Sequence, residues 1–325
     1  MEALPDRARE LAARLLQCQP SEIALVGPTS LALSLVAGGL RLRKGHNILT
    51  CFEDYPSNVY PWMAMADRGV QVRFLNTKRP GMIRAVDVMG QVDENTKLVA
   101  LASCHFVSGW RIEVDAIGKY LHERGILFCV DGIQTLGAFP TLSTHVDFLA
   151  ADAHKWLLGP CASGLLFARQ GIADVVHPPI LGWSNVRCPD FVTQEQIALR
   201  PGARRFEAGS LNLIGVAGLA AALELLLEIG VENIATELLQ KRALLVPALE
   251  DKGYTVLHAE ASPTHASGIV TFFRAGEDMP ALHQKLRAAN IITSLRTDNK
   301  GQRYIRLSPH FYTTDEELHR ALEQL

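Results

Sequence analysis

Ile126-Leu127-Phe128-Cys129-Val130 is an unbroken apolar run that ends on an acid, Asp131, followed by Gly132-Ile133-Gln134. A strand without polar alternation has to be covered on both faces, which restricts the chain to a sheet lying between other elements. Short runs of the same kind recur at Ile23–Val26, Asn47–Cys51, Gln71–Leu75, Leu98–Ser103 and Phe148–Ala151. Among them lie stretches with helical spacing, at Arg7–Gln17, Leu31–Leu40, Tyr60–Arg68 and Val86–Val92. Such alternation predicts an α/β fold, with a mainly parallel sheet between helices. Ligands of these sheets bind beyond the carboxyl ends of the strands. That rule puts Tyr55, the Cys104–Gly109 loop, Asp131 and the turn carrying Lys155 on one side of the molecule.

After Arg200 the pattern changes. A polar, glycine-bearing segment, Arg205-Phe206-Glu207-Ala208-Gly209-Ser210-Leu211-Asn212, precedes a long Ala/Leu helix over Ile214–Ile229, with Gly230 as its stop. A helix over Val231–Lys252 follows, then short strands near Tyr254–Leu257, Gly268–Phe273, Ile291–Leu295 and Tyr304–Leu307, with helices near Pro280–Ala289 and from Thr314. This predicts a large domain over 1–230 and a smaller C-terminal α+β domain over 231–325. The 325 residues are 48% hydrophobic and 20% charged, enough apolar material for both cores. A net charge of -2 gives no general attraction to nucleic acid or to an anionic membrane. Six scattered cysteines without a C-x-x-C pair suit a reducing cytoplasm, and the amino-terminal residues lack a leader profile.

Three features carry chemistry. Lys155, in Ala153-His154-Lys155-Trp156-Leu157-Leu158-Gly159-Pro160, follows one apolar run and opens another; burial of its stem moves an amine toward its neutral, nucleophilic form. A lysine whose head simply reaches water is the alternative. Asp131 is either the counter-charge for a buried cationic ligand nitrogen or a local cap for the segment after it. Thr29 and Ser30, at a helix start after a strand, either bind an anion or serve as a helix cap. No metal site is expected, because the histidines form no H-E-x-x-H pattern. A nucleotide-binding domain lacks its glycine-rich signature.

In this order and spacing, Val130-Asp131-Gly132-Ile133-Gln134, His154-Lys155-Trp156-Leu157-Leu158-Gly159-Pro160 and Arg205–Asn212 resemble the fold-type I, pyridoxal-phosphate-dependent enzymes of the class V aminotransferase group. That group includes cysteine desulfurases, selenocysteine lyases, kynureninase and isopenicillin N epimerase. The resemblance implies a pyridoxal 5'-phosphate cofactor bound by the large domain, with Lys155 as its Schiff-base residue and proton shuttle. It implies that Asp131 pairs with the pyridinium nitrogen and Gln134 donates to the phenolic oxygen. Thr29, Ser30 and His154 would hold the phosphate, with Ser210 reaching in from the partner of a homodimer whose active sites lie at the subunit interface. Tyr55 would stack on the ring, and Arg296 would grip the α-carboxylate of an amino-acid substrate.

Departures from the group narrow the chemistry. Asp152 stands where relatives have a serine; it is expected among the cofactor-binding residues, with backbone donors as its other partners. The Cys104–Gly109 loop lacks a usual asparagine, leaving His105 or Phe106 to face the ring. Arg306 and His310 match a C-terminal signature and are assigned to structure. Thr297-Asp298-Asn299-Lys300-Gly301 has no cysteine after Arg296, and none follows Cys188, so desulfurase chemistry is disfavoured. Relatives also carry a longer stretch ahead of the first helix. The expected activity is transamination, with epimerase or lyase chemistry of the same group, or a non-catalytic relative, as alternatives.

Overall fold

Two-sided burial of the apolar runs is the organising feature of the computed structural model, which describes residues 3–141, 143–172 and 175–325. The runs form β1 (Ile23–Val26), β2 (Asn47–Thr50), β3 (Gln71–Phe74), β4 (Thr96–Ala102), β5 (Leu127–Asp131), β6 (Phe148–Ala151) and β7 (Gly164–Ala168). The helices are α1 (Ala3–Leu16), α2 (Thr29–Gly39), α3 (Tyr60–Met63), α4 (Ala85–Met89), α5 (Val114–His122), α6 (Leu213–Ile229), α7 (Val231–Asp251), α8 (Met279–Ala288) and α9 (Asp315–Glu323). The seven strands lie in the order β1-β7-β6-β5-β4-β2-β3. Neighbours from β6 to β3 are parallel, and β7 runs against both β1 and β6.

Successive residues of one strand enter different cores. Phe128 and Val130 of β5 and Leu149 of β6 join a core with α1, α5 and α6, whereas Cys129, Phe148 and Ala150 join a core with α2 and Trp62 of α3. Each side chain meets apolar neighbours whichever way it points, so the runs need no polar alternation.

A second sheet, β8 (Thr255–Val256), β9 (Val270–Phe273), β10 (Ser294–Thr297) and β11 (Arg303–Leu307), is antiparallel throughout, in the order β10-β11-β9-β8. Gly230, at φ 87, makes the turn between α6 and α7, which meet at 78°. The two cores divide inside α7. Val231, Ile234 and Leu238 belong to the large-sheet core, and Leu245, Val246 and Leu249 belong to the small-sheet core.

Several elements differ from the sequence expectation. Helix α5 and strand β7 are additional to it. The helix expected over Tyr60–Arg68 is α for four residues and tightens to a 3₁₀ turn before Gly69, whose φ is 76. The strand expected at Ile291–Leu295 begins instead at Ser294. Ile291 is buried after α8, with its N–H bonded to Leu286, and Ile292 is exposed, so the β-branched pair lies in the connection before the strand. Met1 and Glu2, which open the segment read as leader-free, lie outside the described residues. Among the described residues, no single helix is long and apolar enough to cross a membrane.

Candidate active site

The strand-end rule places a cavity of about 750 Å³ between the large sheet and the β10–β11 hairpin. Its lining brings together Thr29, Ser30, Tyr55, Asp131, Gln134, Asp152, His154, Lys155 and Arg296, along with Phe106, Ser57 and Arg306. Ser210 is elsewhere in its own chain. It is exposed and borders a different cavity with Leu25, Leu31 and Phe206.

Asp131 is the last residue of β5, held between Ala102 of β4 and Ala150 of β6. Its side chain is buried, and Oδ1 accepts the Ile133 N–H at 3.1 Å. It caps the local turn, while Oδ2 has no protein donor among the described residues. Burial pushes its carboxyl up to about 6, against the opposing pull of the Ile133 hydrogen bond and the Lys155 charge.

Lys155 lies in the turn after β6, closed by Gly159 N–H to the Ala153 carbonyl at 2.9 Å, with Leu158 left-handed at φ 57. Burial is the largest influence on its amine and lowers the pKa. Asp131 opposes that shift, while the Arg306 and Arg296 charges reinforce it. Its Nζ is 5.6 Å from the centre of the Tyr55 ring.

Gln134 is oriented by Trp156, whose indole N–H donates to its Oε1 at 3.2 Å. An indole only donates, so the amide oxygen is held toward Trp156 and the NH₂ is left for the cavity. Thr29 Oγ1 accepts the Asp152 N–H at 2.9 Å, which leaves its own hydroxyl proton to donate. Ser30 and Ser57 hydroxyls meet at 2.8 Å. At the start of α2, Leu31 and Ala32 N–H groups return to Pro28, leaving the Thr29 and Ser30 N–H groups directed out of the helix start.

Asp152 lines the cavity, and its carboxylate meets the backbone donors that were its other expected partners. Its carboxylate accepts N–H bonds from Ala153 at 2.8 Å, Ser163 at 3.1 Å and Ala162 at 3.2 Å, and pairs with His154 Nδ1 at 2.7 Å. Three backbone donors fix the acid, and the acid fixes the imidazole, leaving Nε2 outward. A serine in this place could not hold all four groups.

The hairpin supplies the cations. Ser294 lies opposite Arg306, and Arg296 opposite Tyr304, so both arginines project from the same face of the β10–β11 pair. Among the described residues neither makes an ion pair, and the Nε of each is buried without a partner. Burial and the Arg296 charge lower Arg306 to about 10, so it stays cationic near neutrality. Arg306, assigned chiefly to structure, has that role in its bond to the Phe106 carbonyl and in addition lines the cavity. The signal was present in Tyr304-Ile305-Arg306-Leu307, where one charge interrupts a buried run.

The 104–110 loop is fastened across the two sheets. Thr271 Oγ1 donates to the Val107 carbonyl, Ser267 Oγ to Gly109, and Arg306 to Phe106. Gly109 sits at φ +74, and a Cβ there would meet the Ile269 carbonyl at 2.6 Å. Phe106 thus faces the cavity, edge-on to Tyr55 at 5.3 Å between centres. His105 turns away, bonding Ser108 through Nδ1 and the Glu53 carbonyl through Nε2; burial lowers its pKa to about 4.

Residues 2–320 match the family model described as aminotransferase class-V. A probable cysteine desulfurase of Methanothermobacter thermautotrophicus is 32% identical over 70% of this chain, which spans 56% of that protein. The uncharacterized aminotransferase YcbU of Bacillus subtilis is 29% identical over 98% of this chain and 82% of its own length. The fold matches a C-DES variant solved with glycine covalently linked to its PLP cofactor, with a TM-score of 0.87, 24% identity, and coverage of 99% of this chain and 86% of that one. The chain belongs to the class V aminotransferase family of pyridoxal-phosphate enzymes.

Proposed function

We propose that this chain acts on the α-carbon of an amino acid as an aminotransferase, with Lys155 carrying the cofactor. The observation behind this reading is the grouping, around one cavity, of a half-buried amine, a buried carboxylate with one oxygen open, and two guanidiniums without ion pairs. These residues fit pyridoxal phosphate. Asp131 Oδ2 offers a buried acceptor for the ring N–H, Gln134 an N–H for the phenolic oxygen, and the α2 start with Thr29, Ser30 and His154 a seat for the phosphate. When bound, the cofactor draws electrons from the α-carbon and acidifies its C–H.

The chain's own residues do the rest. Lys155 Nζ would hold the cofactor and move the α-proton; its lowered pKa leaves more neutral amine at a given pH. Arg296 and Arg306 hold the α-carboxylate, and Tyr55 with Phe106 confines the ring and keeps water from the reacting face. Epimerisation and elimination begin with the same proton removal. A carbon–sulfur lyase is the second reading, favoured by relatives named cysteine desulfurase. The absence of a cysteine from the lining of this cavity and of the one beyond Phe106 argues for the first, and sulfide release from cysteine would establish the second.

The same proposal places Ser210 against a partner subunit's cofactor. Exposed Ile180, Trp183, Ile197 and Ile214 on and around its segment supply apolar surface for a homodimer. Six free cysteines suit a cytoplasmic setting. Borohydride reduction of the cofactor-loaded protein followed by peptide mapping should leave the cofactor on Lys155. Labelling of another lysine, or of none, rejects the assignment.

A further inference from the structure

A second cavity, of about 720 Å³, continues from the first on the far side of Phe106, which lines both. Building on the amino-acid reading above, we propose that this space receives the substrate side chain and selects large apolar side chains over anionic ones. The two cavities are joined along the chain as well as at Phe106. Tyr55 lines the first and Pro56 the second, and Arg296 lines the first and Thr297 the second. A substrate whose carboxylate sits on the arginines therefore has its side chain directed to the neighbouring space.

The walls of that space are Phe52, Pro56, Val59, Tyr60, Phe106 and Val107, which offer rings and branched methyls. Its charged groups are all carboxylates, Glu53, Asp54 and Asp298, and no lysine or arginine reaches the lining. The carboxylates are already engaged. Glu53 accepts the Thr77 hydroxyl at 2.9 Å, Asp54 the Ala102 N–H at 2.9 Å, and Asp298 the Tyr304 hydroxyl at 2.8 Å. His105, also in the lining, spends both ring nitrogens on Ser108 and Glu53. The space thus offers an anion no cation, only the neutral donors of Tyr60, Thr297 and Asn299, and the Glu53 and Asp298 carboxylates repel one. Arg296 and Arg306 are confined to the cofactor side of Phe106.

The test uses protein loaded with pyridoxal phosphate and follows the cofactor absorbance as leucine, phenylalanine, aspartate or glutamate is added. Leucine and phenylalanine should perturb it at concentrations at least about tenfold lower than the acids, a difference of about 1.4 kcal/mol. Equal or tighter response to aspartate or glutamate overturns the proposal. Tyr60→Arg places a cation in the wall at a residue that is 66% exposed, so folding should survive, as far-UV circular dichroism will report. The variant should move the leucine-to-glutamate ratio about fivefold or more toward glutamate, and an unchanged ratio shows that the side chain does not lie there. If no amino acid perturbs the absorbance and borohydride fails to fix the cofactor on Lys155, the amino-acid reading falls and takes this subsite with it. A borohydride-labelled Lys155 with an acid-preferring response removes the subsite alone.

Discussion

Arg9→Met should unfold this protein far more readily than its place in the first helix suggests. Arg9 and Glu207 form an ion pair with side chains only 4% and 2% exposed, joined by Nη2–Oε2 at 2.6 Å and Nε–Oε1 at 3.3 Å. Glu207 Oε1 also accepts the Leu25 N–H of β1 at 2.8 Å, and Arg9 Nη1 reaches Asp6 at 2.7 Å. Removing the guanidinium strands a carboxylate in a nearly dry site with one backbone donor, which costs about 3–5 kcal/mol. With a urea slope of roughly 2–3 kcal/mol per molar, the midpoint of the apo protein falls by about 1–2 M at fixed protein concentration. Glu207→Gln alone should cost less, because Asp6 still faces Arg9 and the amide oxygen still accepts from Leu25. The double variant Arg9→Met with Glu207→Gln buries no unpaired charge and should recover about 2 kcal/mol of the Arg9→Met loss. A loss below about 1 kcal/mol for Arg9→Met, or a double variant as weak as the two losses added, refutes the reasoning.

The remaining predictions concern pH and cofactor affinity. Burial pushes the Asp54 carboxyl up to about 7 and Asp131 to about 6, above the unfolded value of about 3.9. The folded chain then holds extra protons between those values, so their contribution to stability is full below about pH 4 and is lost as pH rises to about 7. His105 and His310, lowered to about 4 by burial, act oppositely and remove stability as pH falls from about 6.5 to 4. Asp54→Asn keeps an acceptor for Ala102, so its stability advantage over the parent should grow from about pH 4 to 7 in urea titrations. An advantage that stays flat with pH contradicts the assignment. Trp156→Phe removes the donor that orients Gln134 and should weaken pyridoxal-phosphate binding about fivefold, near 1 kcal/mol, in an absorbance titration. Unchanged affinity would show that Gln134 needs no orienting partner.

Two-sided burial made most strands of the large sheet legible as unbroken apolar runs, but it is not the whole account: β7 is buried throughout and was not expected, while β3 was expected although its residues are exposed or partly buried. Helix α5 is only nine residues long, and its whole signal is the narrow stripe of Val114, Ile117 and Leu121 at i, i+3 and i+7, which is short beside the runs of the neighbouring strands. Most of the cavity lining was legible because its residues stand next to strand ends, where an acid or a lysine after an apolar run is conspicuous. Arg306 was not legible in that way. Its role depends on a hairpin register that puts it diagonally across from Arg296, and spacing within one strand cannot report what the neighbouring strand carries. Asp152 shows the converse limit. Its identity as an acid was plain, but the Ala162 and Ser163 donors that occupy it arrive from the far side of the Lys155 turn.

The cavity belongs to neither sheet alone. The large sheet and the turn after β6 supply Asp131 and Lys155, the small sheet supplies both arginines, and the 104–110 loop is bonded to the small sheet at Thr271 and Arg306 and to the segment before β9 at Ser267. Helix α7 enters both cores, so tilting the small sheet would repack Leu238 and Leu245 together. Arg306 donates to the Phe106 carbonyl at the point where the two cavities meet. On the amino-acid reading proposed above, a carboxylate held by Arg306 would sit one hydrogen bond from the wall of the proposed side-chain space, so recognition of the common end and selection of the variable end would share that arginine.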